Sequence, residues 1–364
     1  MGFWEKIDKT GERIDIYEKI KKDNTPLYIY GAGNLAKNIL KKLNEYEIKV
    51  AGCITDTGEE KFESYQVYKY STFIKNVDKR SCNLLIGFAS AYARKQEIEQ
   101  KNIFKCVYEI ANPFDHHTHF DYKFVEDNKD KLSQVYEQLA DEYSKECFVA
   151  FINSRIWEDS GYVRDIFRGE IDEFNNDVMR LESTENFLDI GAYDGGSIKR
   201  FLKSSNGKYQ SIIGIEPESR NFSKLERFCD INKIHAKLYQ IGCWNKKDRL
   251  YFNDADDKCC RLDKTGAVCI EVDRVDNIIA PREKVSIINL GISTAEREII
   301  EGCQNIITNN RPKILVFMGS AKEELYTIPD CIHKISKQYN LYLRFIQAMP
   351  SRIFMYAIPQ EMEE

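Results

Sequence analysis

The chain lacks several features that would settle its class at once. It has no apolar run approaching the ~20 residues that span a bilayer, so no membrane partner is expected. The stretch from Met1 to Lys22 is charged throughout and has no apolar core of the kind a secretory signal needs, which makes the cytoplasm the expected compartment. Its apolar positions Phe3, Trp4, Ile7, Ile14, Tyr17 and Ile20 suggest short amphipathic helices instead. Neither sign of charge dominates: 53 Lys and Arg face 58 Asp and Glu, a net charge of -5, so no electrostatic grip on nucleic acid is expected. There is no CxxC pair, which argues against a zinc ribbon or a thioredoxin-like site. The 11 cysteines are scattered and mostly embedded in apolar segments such as Gly52-Cys53-Ile54 and Ala267-Val268-Cys269-Ile270, and read as small buried hydrophobes in a reducing compartment. Of only 5 histidines, three fall in Asp115-His116-His117-Thr118-His119, a polar run without patterned partner ligands; it reads as a solvent-exposed loop, and no metal is expected. With 43% hydrophobic and 30% charged residues, the 364-residue chain has the composition of a soluble globular protein long enough for two domains.

Along the chain, short apolar runs alternate with helical patterns. Pro26 to Tyr30 leads into Gly31-Ala32-Gly33 and a helix through Leu35, Ile39, Leu40 and Leu43; a second strand, Ile48 to Ile54, ends at Asp56. Asn83 to Phe88 and Ile103 to Tyr108 read as further strands. This rhythm predicts a parallel sheet, a small Rossmann-like unit over residues 1–113. Apolar residues then recur at helical spacing (Leu132, Val135, Tyr136, Leu139, Ala140, Tyr143), and residues 114–181 read as a helical connector. The α/β rhythm resumes over residues 182–364, closing with Leu341 to Phe345 and Ile353 to Ala357, which suit a terminal antiparallel pair. The expected fold class is therefore α/β: a larger C-terminal Rossmann-like domain, mostly parallel, plus a smaller N-terminal one.

The segment richest in chemistry is Asp189-Ile190-Gly191-Ala192-Tyr193-Asp194-Gly195-Gly196. A strand ending in an acid, then glycines four apart, then a helix, lets a backbone turn approach a ligand where side chains would clash. Such a turn lies at the carboxyl edge of the sheet, where open α/β folds bind ligands. One strand later, Glu216 is placed to accept both hydroxyls of a ribose. The GxxxG spacing differs from the GxGxxG of dinucleotide folds, and suits the amino-acid end of S-adenosylmethionine rather than a pyrophosphate. The plainer alternative is a generic strand-turn-helix with a convenient glutamate.

These residues carry a resemblance. The second half of the chain resembles the FkbM-type family of S-adenosylmethionine-dependent methyltransferases, which act on hydroxyls of sugars and natural products. The landmarks are Phe187 to Gly196, Ile215-Glu216-Pro217-Glu218, Gly242-Cys243-Trp244, Val275-Asp276, Ala295-Glu296 to Gly302, and Tyr339 to Ala357. The first half looks like the Rossmann-type extension of some bacterial members. The resemblance implies a methyltransferase-type fold and S-adenosylmethionine as cofactor. It would seat the methionine end on Asp189, Gly191 and Gly195 with the neighbouring Ala192 and Tyr193, the ribose on Glu216, and the adenine near a turn at Gly242 to Trp244. Trp244 reads equally as a core aromatic. The acceptor would be a sugar or sugar nucleotide, as in polysaccharide biosynthesis, and the resemblance leaves room for a homo-oligomer.

The chain departs from its family where chemistry is expected. The usual Asp-x-Glu-Gly-Ala-Glu at the fourth strand end reads Gly291-Ile292-Ser293-Thr294-Ala295-Glu296, and the Tyr-His-Lys after the next strand reads Gly319-Ser320-Ala321. Methyl transfer to a hydroxyl benefits from a base within hydrogen-bond reach. Glu296, and more weakly Ser293, remain as catalytic candidates. A catalytically degenerate scaffold that still binds cofactor or nucleotide is the alternative reading. In the N-terminal half, Gly31, Gly33 and Asn34 before a helix and Asp56 at the next strand end could hold a nucleotide, or the glycines could merely permit a tight turn.

Overall fold

The computed structural model describes residues 2–11, 15–58, 61–88, 91–110, 120–252, 268–292, 295–318 and 321–362. The histidine run, Ser293 and Gly319-Ser320 lie outside them. The chain opens with α1 (Phe3–Lys6) and α2 (Ile16–Asp23), then β1 (Leu27–Tyr30), α3 (Asn34–Glu45), β2 (Val50–Thr55), β3 (Lys61–Phe62), β4 (Tyr65–Lys69), α4 (Tyr70–Asn76), β5 (Asn83–Ile86), α5 (Ala91–Gln100) and β6 (Val107–Tyr108). These strands form one sheet in the order β3-β4-β2-β1-β5-β6, parallel except at β3. Of the expected strand from Ile103 to Tyr108, only the last two residues pair.

Four helices follow: α6 (Tyr122–Asp127), α7 (Lys129–Gln138), α8 (Glu142–Trp157) and α9 (Gly161–Ile166). The helical pattern running through Leu139 and Ala140 is in fact broken there. Asp141 caps α8 by accepting the Ser144 N–H at 2.6 Å, and the Ala140 N–H donates to Leu341 O at 2.9 Å. A fixed cap and a tertiary bond together outweigh the local periodicity. Residue Arg344, 2% exposed, ion-pairs with Asp141 at 2.6 Å and Asp177 at 2.7 Å, stapling both ends of this segment to the following sheet.

The remainder runs β7 (Asn186–Ile190), α10 (Gly196–Ser204), β8 (Ser211–Ile215), α11 (Ser219–Asn232), β9 (Ala236–Tyr239), β10 (Gly242–Cys243), β11 (Asp248–Phe252), β12 (Val268–Asp273), α12 (Val275–Ile278), β13 (Ile287–Leu290), α13 (Glu296–Gly302), α14 (Gln304–Asn310), β14 (Lys313–Phe317), α15 (Glu324–Ile335), β15 (Tyr339–Phe345) and β16 (Ile353–Pro359). Seven strands order as β15-β16-β14-β13-β7-β8-β9. The five from β14 to β9 are parallel, and β16 runs antiparallel to both its neighbours. Strands such as Ile287-Ile288-Asn289-Leu290 are nearly continuous apolar runs because helices cover both faces of the sheet. One face packs Leu188, Ile190, Ile288 and Leu290 against the helices α6 to α9 and α13 to α15; the other packs Phe187, Ile212, Ile287 and Leu315 against α10 and α11.

A third sheet, β10-β12-β11, was not anticipated. The expected turn at Gly242 is a short strand paired parallel with Val272 and Asp273. Strand alternation along β12 also corrects one expectation about cysteine. Ile270 is buried, whereas its neighbour Cys269 points outward and is exposed. Among the described residues no helix is long and apolar enough to cross a membrane.

Candidate active site

The site is a consequence of alternation and register. On β7 the side chains of Phe187 and Asp189 share the face covered by α10; on β13 the same face carries Ile287 and Asn289. Parallel register places Asn289 beside Asp189 and Gly214 on its other flank. Asn289 Nδ2 donates to Asp189 Oδ1 at 2.8 Å, and Ser197 Oγ, from the first turn of α10, donates to Oδ2. Asp189 is fully buried. Burial pushes its carboxyl up to about 6 against the pull of those two donors.

Beyond Ile190 the chain turns sharply. The N–H groups of Gly191 and Ala192 both donate to Ile215 O, at 2.9 and 3.1 Å, so β8 itself holds the turn. Gly191 (φ +79°) and Gly195 (φ +88°) are left-handed, and so is Tyr193 (φ 51°). The two glycines are required for different reasons. A Cβ on Gly191 would meet Ile292 at 2.5 Å, across the turn; one on Gly195 would meet the Phe228 ring of α11 at 2.3 Å. Gly195 therefore serves helix packing, whereas Gly191 lines the cavity described next.

That cavity, about 670 Å³, opens over the carboxyl ends of β7, β8, β13 and β14, within the range typical of small-molecule sites. Its wall brings together Gly191, Ala192, Tyr193, Glu216, Gly242 and Trp244. Asp189 lies behind that wall and reaches it only through Asn289 and Ser197, which do line it. Glu216 is 6% exposed; its Oε2 accepts the Tyr193 N–H and its Oε1 the Glu218 N–H, each at 3.0 Å. Burial raises its carboxyl above the usual range, and the two N–H donors oppose this. Each oxygen keeps a second lone pair for a ligand. Leu250, Ile270 and Val272 of the third sheet, with Ile241 just before it, form an apolar shelf on the side of Trp244. A reading of motifs does not find these residues, because β11 and β12 pair across an intervening segment and carry no motif of their own.

Among the described residues lining the ends of β13 and β14 are Asn289, Gly291, Ile292, Ala295 and Phe317, none of them titratable in the ordinary range. Glu296 is not brought to the cavity. It is 1% exposed, and burial, the charge of Glu324 on α15 and a hydrogen bond with that side chain together raise its carboxyl well above the usual range. A carboxyl in that position stays protonated and faces a helix rather than a substrate. At the opposite end, the loop between β15 and β16 contributes Ile346, Gln347 and Arg352, across from Arg200 of α10 and Glu173.

The N-terminal candidates have another arrangement. Gly31 (φ +127°) permits close approach of Gly87 O, 3.0 Å from where a Cβ would sit, while nothing lies within 4 Å of one on Gly33, the N-cap of α3. Asn34 begins that helix. Asp56 accepts the Tyr30 hydroxyl at 2.6 Å and an Arg94 N–H at 2.9 Å. The ribose position expected there is filled by the chain's own guanidinium.

Comparison with solved structures places this architecture. The chain is similar to the methyltransferase FkbM from Methylobacillus flagellatus, with a TM-score of 0.66 and 19% identity over 95% of this chain and 94% of that one. It therefore has the α/β fold of that methyltransferase along nearly its whole length, the N-terminal sheet included. More distant matches are an rRNA methylase from Streptococcus thermophilus (TM-score 0.32, 10% identity, 49% of this chain and 89% of that one) and Aeropyrum pernix fibrillarin with bound S-adenosyl-L-methionine (TM-score 0.34, 9% identity, 50% and 70%). No family model and no curated protein matches the sequence.

Proposed function

We propose that the protein is an S-adenosylmethionine-dependent O-methyltransferase of the FkbM type, acting in the cytoplasm on a hydroxyl of a sugar or sugar nucleotide. Residues 182–364 would form the catalytic domain, with 1–113 and 114–181 as extension and connector. The observation that carries the reading is Glu216: a buried carboxylate at the end of β8, fixed by two backbone N–H donors, with its remaining lone pairs at a cavity of suitable size. In this reading Glu216 holds the ribose hydroxyls. Trp244 and the shelf of Leu250, Ile270 and Val272 enclose the adenine, and the turn at Gly191 to Tyr193 receives the amino-acid end. Asp189 positions that turn through Ser197 and Asn289 without touching the ligand. When bound, the cofactor supplies a methyl group on a sulfonium, ready for transfer to a nucleophile. Calorimetric titration with S-adenosylmethionine and S-adenosylhomocysteine tests the reading: binding in the micromolar range, about −8 kcal/mol, is expected, and its absence would remove the proposal.

A second reading, a catalytically degenerate scaffold that binds the cofactor without turnover, is favoured by one observation. Glu296 is turned away from the cavity, and the described lining at the ends of β13 and β14 holds no base. Labelled methyl donor with a panel of nucleotide sugars separates the two, since the scaffold yields no labelled product at any concentration while still binding S-adenosylhomocysteine.

A further inference from the structure

The cavity has two electrically distinct ends. At the β8 end, Glu216 and Glu218 line it, while Asp194, on the turn after β7, lies between the ends. At the β16 end stand Arg200, Arg352 and Glu173. Arg200 Nε donates to Glu173 Oε1, so that pair is neutral as a unit. Arg352 makes no ion pair among the described residues. Its Nε is buried without a hydrogen-bond partner, as is Oε1 of Gln347 on the same loop. Burial lowers the Arg352 guanidinium below its ordinary value, with Glu173 opposing and Arg200 reinforcing that shift. It remains charged at neutral pH. Arg352 is half-buried and, among the described residues, no carboxylate pairs with it directly, so an anionic ligand that did so would stabilise it.

We propose that Arg352, with Gln347 beside it, forms a subsite for an anionic group, a phosphate or carboxylate, carried by the methyl acceptor. This rests on the reading of the Glu216 end as the donor site. Sheet order separates the two ends: β8, β7, β13, β14 and β16 are successive neighbours, so at ~4.8 Å per strand the end of β8 and the start of β16 lie roughly 19 Å apart. A donor anchored by its ribose at β8 and reaching towards the β7 turn leaves the β14–β16 end for the second substrate. Phe317 and Phe354, register partners with ring centroids 5.4 Å apart, line the cavity at that end and offer an apolar face beside the charge. Guanidinium, amide and aromatic face together suit a phosphorylated sugar better than a neutral one.

The test is calorimetry on the full chain saturated with S-adenosylhomocysteine, using inorganic phosphate, glucose 1-phosphate and glucose as probes. The proposal expects measurable binding of both phosphates, at least tenfold tighter than glucose, and a tenfold or greater loss for the phosphates in Arg352→Met. Arg352→Lys, which keeps the charge, should recover part of it. S-adenosylhomocysteine should bind Arg352→Met as it binds the unchanged protein, which also shows that the variant is folded. Equal affinity for glucose 1-phosphate and glucose in the unchanged protein overturns the proposal without needing any variant. So does a loss of S-adenosylhomocysteine affinity in Arg352→Met that vanishes for 5′-methylthioadenosine, since Arg352 would then hold the donor's own carboxylate. If the unchanged protein binds no S-adenosylhomocysteine, the donor reading fails by itself. Titrating the phosphates without it then decides the subsite: a tenfold loss in Arg352→Met upholds anion binding there, and no loss overturns it.

Discussion

The chain builds the same local device twice. At β1, α3 and β2, a strand, a glycine turn and a helix are followed by a strand whose end carries Asp56; at β7, α10 and β8 the same sequence of parts ends in Glu216. The outcomes differ because of what lies across from the acid. Asp56 sits in a mostly solvent-exposed position and is taken by Arg94, whose guanidinium also donates to Tyr30 and packs over the Tyr70 ring with its centroid 4.7 Å away. Glu216 is buried and, among the described residues, bonded by backbone N–H groups alone, one from its own turn and one from the turn after β7. A glycine fingerprint thus specifies a turn; a ligand site further requires that the next acid be held without being neutralised.

The sharpest way to break this comparison is to remove each acid. Glu216→Ala should lose two hydrogen bonds from hydroxyls to a carboxylate, about 1.5–3 kcal/mol each, and so weaken S-adenosylhomocysteine at least a hundredfold by calorimetry. Asp56→Ala should leave that affinity within twofold. Were the two variants to change places, the assignment of the site would be reversed.

The turns themselves are next in size. Gly195→Ala forces a left-handed φ on an L-residue, about 1–2 kcal/mol, and drives its Cβ into the Phe228 ring, about 1–3 kcal/mol more. A loss of roughly 4 kcal/mol in urea unfolding is expected. Gly33→Ala has an extended backbone and open space around the new methyl, so its stability should stay within about 0.5 kcal/mol.

Acid titrations in the two regions should run in opposite directions. The Asp189 carboxyl, raised to about 6 by burial, keeps its proton in the folded chain over a range where the unfolded chain has lost it. Stability therefore falls as pH rises from about 4 to 6 and is level above, by about 3 kcal/mol in all. Asp189→Asn should remove that slope. Asp23, held by Lys105 and then by Thr25, is shifted well below its ordinary value. It stabilises the folded chain above pH 4, and that contribution is lost as pH falls through its folded value. Asp23→Asn should therefore destabilise the chain at neutral pH but not in strong acid. Urea titrations at several pH values read both signs.

Much of this was legible in residue order. The β7 turn, Glu216 and the antiparallel β15–β16 pair are local patterns, and each carries its own glycine or alternation signal. What was not legible depends on distance in the chain. Asn289 meets Asp189 through strand register, 100 residues apart. A Cβ on Gly195 would meet the Phe228 ring, a packing demand that no spacing rule reveals. The apolar shelf comes from β11 and β12, which pair across an intervening segment. Arg352 and Gln347 belong to a loop without any motif.

Glu296 is the case where local pattern misdirects most, and it yields the smallest expected effect. Its place at the first turn of α13, just beyond the cavity-lining Ala295, makes it a natural candidate for a base. A helix advances by about 100° per residue, however, and one step past Ala295 the side chain faces α15, where burial and the charge of Glu324 keep it protonated. The amide of Glu296→Gln is nearly the same shape as the neutral acid and retains a donor. It should therefore leave S-adenosylhomocysteine affinity, and any methyl transfer, within twofold, while removing a raised carboxyl that costs stability as pH rises from about 4.5 towards its folded value. The variant should hold its stability at alkaline pH better than the unchanged protein. A loss of turnover beyond tenfold with donor affinity intact would return Glu296 to the chemistry, and would mean that α13 rotates when substrates bind.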